Sequence, residues 1–161
     1  MADHNEGPFR EEWDASLATG VASLDEQHKS LFDCINLLAE ATAEHSMLRT
    51  FYVLEQLSSY AHLHFAEEEF LMRVHGFPAL ADHVRAHRAF SNRLHELRRI
   101  YLDRDISTDL ILMLREWLKT HVAQTDMEYV PYLKAASPIA QMQNLPAAMA
   151  RPAQAAQPCL A

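Results

Sequence analysis

The order of apolar and polar positions follows a helical period along most of the chain. From Leu24 to about Glu44, the residues His28, Leu31, Phe32, Ile35, Leu38, Ala39 and Thr42 recur at steps of three and four, which is one helix face. A second such face holds Phe51, Leu54, Leu57, Ala61, His64, Phe65, Glu68, Leu71 and Met72, and closes at Gly76 with Pro78 just beyond. A third carries Leu80, His83, Val84, His87, Phe90, Leu94, Leu97 and Tyr101. A fourth carries Leu110, Leu114, Trp117, Leu118 and His121 and runs on toward Pro131. Ser23 and Glu26 have the spacing of a capping box, and Ser107 or Thr108 stands where the fourth helix needs an N-cap. Helices of roughly 20 residues are each about 30 Å long, and short links make sequential neighbours antiparallel. The predicted class is all-α, an up-down-up-down antiparallel four-helix bundle over residues 23–134. Residues 1–22 read as an N-terminal arm that packs through Trp13 and Leu17. Residues 135–161 are rich in Ala, Pro and Gln, hold no Asp or Glu, and read as a disordered low-complexity tail.

Composition narrows the function classes. The chain has 161 residues, one domain's worth, with 49% hydrophobic and 22% charged residues. A formal net charge of −8 argues against a nucleic-acid partner. No apolar run approaches the ~20 residues of a membrane span, and the polar first ten residues do not read as a signal peptide. Cys34 and Cys159 form no C-x-x-C pair or disulfide framework, which fits a reducing, cytoplasmic setting. Three glycines are too few for phosphate-cradling loops, whereas ten histidines demand an explanation.

That explanation lies in where the histidines fall. His28 shares its face with Leu31, Phe32 and Ile35. His64 and Glu68 are four apart, as are His83 and His87, so each pair stacks on one face. His121 follows Trp117 and Leu118, with Asp126 five further on. Each of the four helices thus turns at least one imidazole toward its apolar side. One such histidine is ordinarily a core residue with a satisfied hydrogen bond. Five of them with two carboxylates would cost several kcal/mol each if buried unpaired, and a shared metal cluster satisfies them all. His62 sits about 200° round the helix from His64, His95 lies off the face of its neighbours, and His4 and His45 fall in polar end regions. His75 returns near the face of Glu68 but at the helix end. The five-residue gap from His121 to Asp126 is about 140° on a regular helix, so it requires a local π-type widening or a loosened last turn.

Nitrogen and carboxylate donors without thiolate suit iron, manganese or zinc, and seven are too many for one four-coordinate zinc. A haem would use one or two of the histidines, and the Glu-x-x-His pairs of ferritin-like sites are absent from the sequence. Two six-coordinate ions offer about twelve positions, of which five imidazoles, two bridging carboxylates and an oxo or hydroxo bridge fill all but one. Such a histidine-rich, carboxylate-poor set neutralises two ferrous ions incompletely and favours modest two-electron chemistry.

The run Asp25-Glu26-Gln27-His28, then His64-x-x-x-Glu68, His83-x-x-x-His87 and His121-x-x-x-x-Asp126 resembles the hemerythrin family in its single-domain bacterial form. The resemblance spans roughly Trp13 to Leu133. It implies two non-haem iron ions with an oxo or hydroxo bridge and reversible binding of O2. His83, His87 and His121 would bind one iron, His28 and His64 the other with its open position, and Glu68 and Asp126 would bridge both. Trp117, Leu118 and Val122 would wall the O2 pocket. The expected role is an oxygen carrier, store or delivery protein and not an enzyme. The alternatives are an O2 or redox sensor acting through a separate signalling partner, an accessory to an O2-using enzyme, or a di-iron peroxidase or scavenging enzyme.

Overall fold

The computed structural model describes residues 11–135. The expected tail, 135–161, loses its first residue to the last helix, which ends at Ala135; the rest of it and the first ten residues of the arm lie outside the described residues. Four main helical rods form: α1 (Ala22–Ala43), α2 (Met47–Val74), α3 (Leu80–Ile100), and a fourth made of α4 (Ser107–Trp117), a π-helical stretch Leu118–Thr125, and α5 (Asp126–Ala135). No strand occurs among the described residues. α1 packs against α2 and α4, and α2 against α3, the neighbour pattern of the expected up-down-up-down bundle.

The links are short because two left-handed residues turn the chain at once. Gly76 takes φ +67°, and the N–H of Phe77 reaches back to the Met72 carbonyl at 2.9 Å, closing the end of α2. His45 plays the same part after α1 with φ +51°, the Ser46 N–H bonding the Ala41 carbonyl at 2.8 Å. A Cβ at that conformation costs about 1 kcal/mol or more, so the tight link is held at some strain.

The expected capping box does not form. α1 begins one residue before Ser23, and it is Asp25 that gathers the preceding chain: its carboxylate accepts from the backbone of Thr19 and Gly20 and from the Thr19 hydroxyl, at 2.7–3.2 Å. Ser23 instead donates to Glu67, and Glu26 pairs with Lys29. At the fourth rod, α4 starts on Ser107, and the Asp105 carboxylate takes its N–H. The N-terminal arm does pack: Trp13 meets Phe32 edge-on at 5.8 Å, and Glu11 and Asn36 exchange two hydrogen bonds.

The core falls into two apolar clusters. The larger runs from Leu31, Ile35 and Leu54 to Phe65, Phe90, Leu114 and Val122; the smaller holds Leu24, Met72, Phe77, Tyr129 and Val130. Along α1 the order is Leu24, His28, Leu31. Along α2 it is Phe65, Glu68, Met72, and along the fourth rod Val122, Asp126, Tyr129. The polar residues therefore form a layer between two dry regions.

Candidate metal centre

The seven residues singled out by pattern meet in that layer. His28, His64, Glu68, His83, His87, His121 and Asp126 are each at most 3% exposed. Two nests result, one of Glu68, His83, His87 and His121, the other of His28, His64, Glu68 and Asp126, each with its candidate ligand atoms within 4.8 Å of one another. Glu68 turns Oε1 to His64 (3.5 Å) and Oε2 to His83 and His87 (3.5 and 3.1 Å). Asp126 turns Oδ2 to His28 (3.3 Å) and Oδ1 to His83 and His121 (3.4 and 3.0 Å). Each carboxylate thus offers one oxygen to each nest.

The π-helical stretch makes this possible. On a regular helix Asp126 would point away from His121. Widening the turns over Leu118–Thr125 brings residues five apart onto one face. Of the two routes open on sequence, widening is the one taken, and α5 runs on through Pro131.

The outer nitrogens settle the direction in which the imidazoles present their lone pairs. Glu67 is a carboxylate and accepts Nε2–H of Gln27 at 2.8 Å, so the Gln27 oxygen must face His64. That oxygen lies 2.7 Å from His64 Nδ1, which therefore carries the proton. Glu69 fixes His87 in the same way, 3.0 Å from its Nδ1. The Nε2 lone pairs of His64 and His87 then point inward. Glu68 Oε2, both Asp126 oxygens and Nε2 of His83, His87 and His121 have no hydrogen-bond partner among the described residues. His28 Nε2 faces His64 Nε2 at 3.2 Å. Lone pairs converging in a buried layer repel unless cations lie between them, so this donor set fits metal ions.

The electrostatics agree. Burial pushes His64 down to about 4 and also lowers His121, which keeps the rings neutral as metal binding requires. Burial alone would raise the Glu68 carboxyl; positive charge beside it, whether a proton on His64, His83 or His87 or a metal ion held by their Nε2 atoms, outweighs burial and holds the group well below the usual carboxylate range. Tyr129 donates to Glu68 Oε1 at 2.6 Å, and burial beside that carboxylate pushes its phenol far up.

Aromatic rings clamp the imidazoles. Phe65 stacks on His87 at 3.8 Å, Trp117 on His121 at 3.7 Å, and Tyr60 on His64 at 4.7 Å. Leu118 and Val122 are buried in the larger apolar cluster. A groove of about 580 Å³ lined by residues of α3 and the fourth rod, among them Phe90, reaches Trp117 and His121 from the surface.

A family model described as the hemerythrin HHE cation binding domain matches residues 19–133. The chain belongs to the hemerythrin family. It is 34% identical over 124 residues to a bacteriohemerythrin of Stenotrophomonas maltophilia, covering 76% of this chain and 81% of that one. It is 30% identical over 118 residues to a myohemerythrin of Theromyzon tessulatum, covering 73% and 89%. The crystal structure of a hemerythrin point mutant superposes with a TM-score of 0.72 at 27% identity, covering 79% of this chain and 99% of that one.

Within this hemerythrin-family layer the pattern reading missed a second tier. Gln27, Glu67, Glu69 and Tyr129 fix the rings and the Glu68 carboxylate, although Glu67 and Glu69 point off the inner face. Among the described residues set aside by pattern, His62, His95 and His45 are exposed and His75 is half-buried.

Proposed function

We propose that this chain holds two non-haem iron ions in its buried layer and binds O2 reversibly there, as a carrier, store or delivery protein. The observation that carries this reading is the pair of buried carboxylates, each giving one oxygen to either histidine nest, an arrangement suited to bridging two cations. His83, His87 and His121 would hold one ion; His28 and His64, one imidazole fewer, would hold the other. When bound, the iron pair supplies the electrons that hold O2.

The protein's own part is orientation and exclusion. Gln27 and Glu69 keep the Nε2 atoms of His64 and His87 inward and unprotonated. Tyr129 anchors Glu68 through one oxygen. Leu118, Val122 and Trp117 belong to the apolar wall on one side, and Met72 and Phe77 to the wall on the other. A dry wall keeps water and protons from the bound ligand, which favours release of O2 over its reduction. Metal analysis of protein produced with ample iron should give about two irons per chain. A ratio near one, or zinc alone, would overturn the reading.

A further inference from the structure

α2 is apolar on two sides. Its inner face supplies Leu54, Leu57, Phe65 and Met72 to the core. Its outer face exposes Leu48 (79%), Tyr52 (57%), Leu63 (67%), Phe70 (59%) and Val74 (61%). These residues form one stripe. At 100° per residue, Leu48, Tyr52, Leu63, Phe70 and Val74 lie within an arc of about 80°, and the exposed Gln56, Ser59 and Ala66 fall in the same arc. None of the eight is charged. The outer positions of α3 provide the contrast: its exposed side chains include Asp82, Arg85, Arg88, Arg93, Glu96, Arg98 and Arg99 and no large apolar one, as a solvated helix face requires.

The five large side chains together expose on the order of 600 Å² of mostly apolar surface, at the upper end of what a monomer's largest patch presents. A stable interface takes about 800 Å² from each partner, and the stripe with its polar margins comes close to that. The stripe is also symmetric along its length. Reversed about its midpoint near Ala61, Leu48 falls opposite Val74, Tyr52 opposite Phe70, Gln56 opposite Ala66 and Ser59 opposite Leu63. An antiparallel copy of the same helix therefore meets apolar with apolar and aromatic with aromatic at both ends, with the small Ser59 and Ala66 near the middle allowing close approach. Self-complementarity of one patch is what a two-fold interface demands.

We infer that the outer face of α2 pairs with α2 of a second copy of this chain, antiparallel about a two-fold axis near Ala61, to form a homodimer. The test is sedimentation velocity on the full chain at roughly 1–100 μM, which reaches even the weak end of the μM-to-pM range for interfaces of this size, with twice the monomer mass expected. Leu63→Glu combined with Phe70→Glu should weaken association roughly 100-fold or more, with helical circular dichroism unchanged. Should that variant misfold, Leu63→Ser with Phe70→Ser serves in its place. Leu112→Glu, on the exposed side of α4, should leave the dimer intact. In a Cys34→Ser, Cys159→Ser background, Ser59→Cys mixed with Leu63→Cys should give a disulfide-linked heterodimer on mild oxidation. A chain that stays monomeric overturns the inference, whether the stripe is then covered by the chain's own terminal segments, by another protein, or by nothing. So does a dimer indifferent to both stripe variants.

Discussion

Replacing Tyr129 with Phe removes one oxygen from the molecule and nothing else. The ring is fully buried and edge-on to His83 at 5.7 Å, so Phe fills the same space. What is lost is the 2.6 Å hydrogen bond to Glu68 Oε1. A hydrogen bond to a charged group contributes about 1.5–3 kcal/mol, and Glu68 is fully buried. In binding terms that is roughly a 10- to 100-fold loss, the range typical for removing a partner that orients a metal-bound carboxylate. Iron affinity, measured by competition against a chelator of known strength, should therefore fall 10- to 100-fold. A change in iron affinity below threefold would refute the assignment of Tyr129 as the anchor of a bridging carboxylate.

Three further outcomes follow from other parts of the structure. His64→Ala should abolish O2 binding and His62→Ala should leave the visible spectrum unchanged, while Glu67→Ala should weaken iron binding without abolishing it, because it frees Gln27 to turn away from His64; iron content and spectra of the three variants check this. The metal-free protein should lose about 3 kcal/mol of stability as pH falls from about 6.5 to about 4, because the unfolded chain protonates His64 where the folded one resists; full stability is present above that window, and denaturant midpoints against pH read it. Gly76→Ala should cost about 1 kcal/mol through backbone strain alone, since a Cβ there meets nothing within 4 Å; thermal unfolding measures it.

The bundle and the clustering of the seven polar residues were readable because both rest on helical period. His64 with Glu68 and His83 with His87 share faces by counting alone, and the four apolar stripes name the four rods. His121 and Asp126 show where counting stops. Their five-residue gap fits no regular helix, and the choice of a π-helical stretch is made by the packing of the fourth rod. The second tier escaped because its members are defined by what they touch. Glu67 and Glu69 look like solvated neighbours of Glu68, yet one sits behind Gln27 and the other on His87. Gln27, directly before His28, was the available signal. The missing capping box has the same origin: Ser23 and Glu26 have the right spacing, but Glu67 from α2 takes the Ser23 hydroxyl, and Asp25 ties down Thr19 and Gly20 ahead of a helix already under way at Ser23.

The central claim is reversible O2 binding at two irons, and one measurement addresses it most directly. The iron-loaded protein is reduced without oxygen, exposed to air, swept with argon and exposed again while its visible spectrum is followed. An absorption band should appear with air, fade under argon and return over several cycles, with slow decay superimposed. A band that decays in a single cycle to the oxidised protein, with peroxide or a reduced product released, would contradict it.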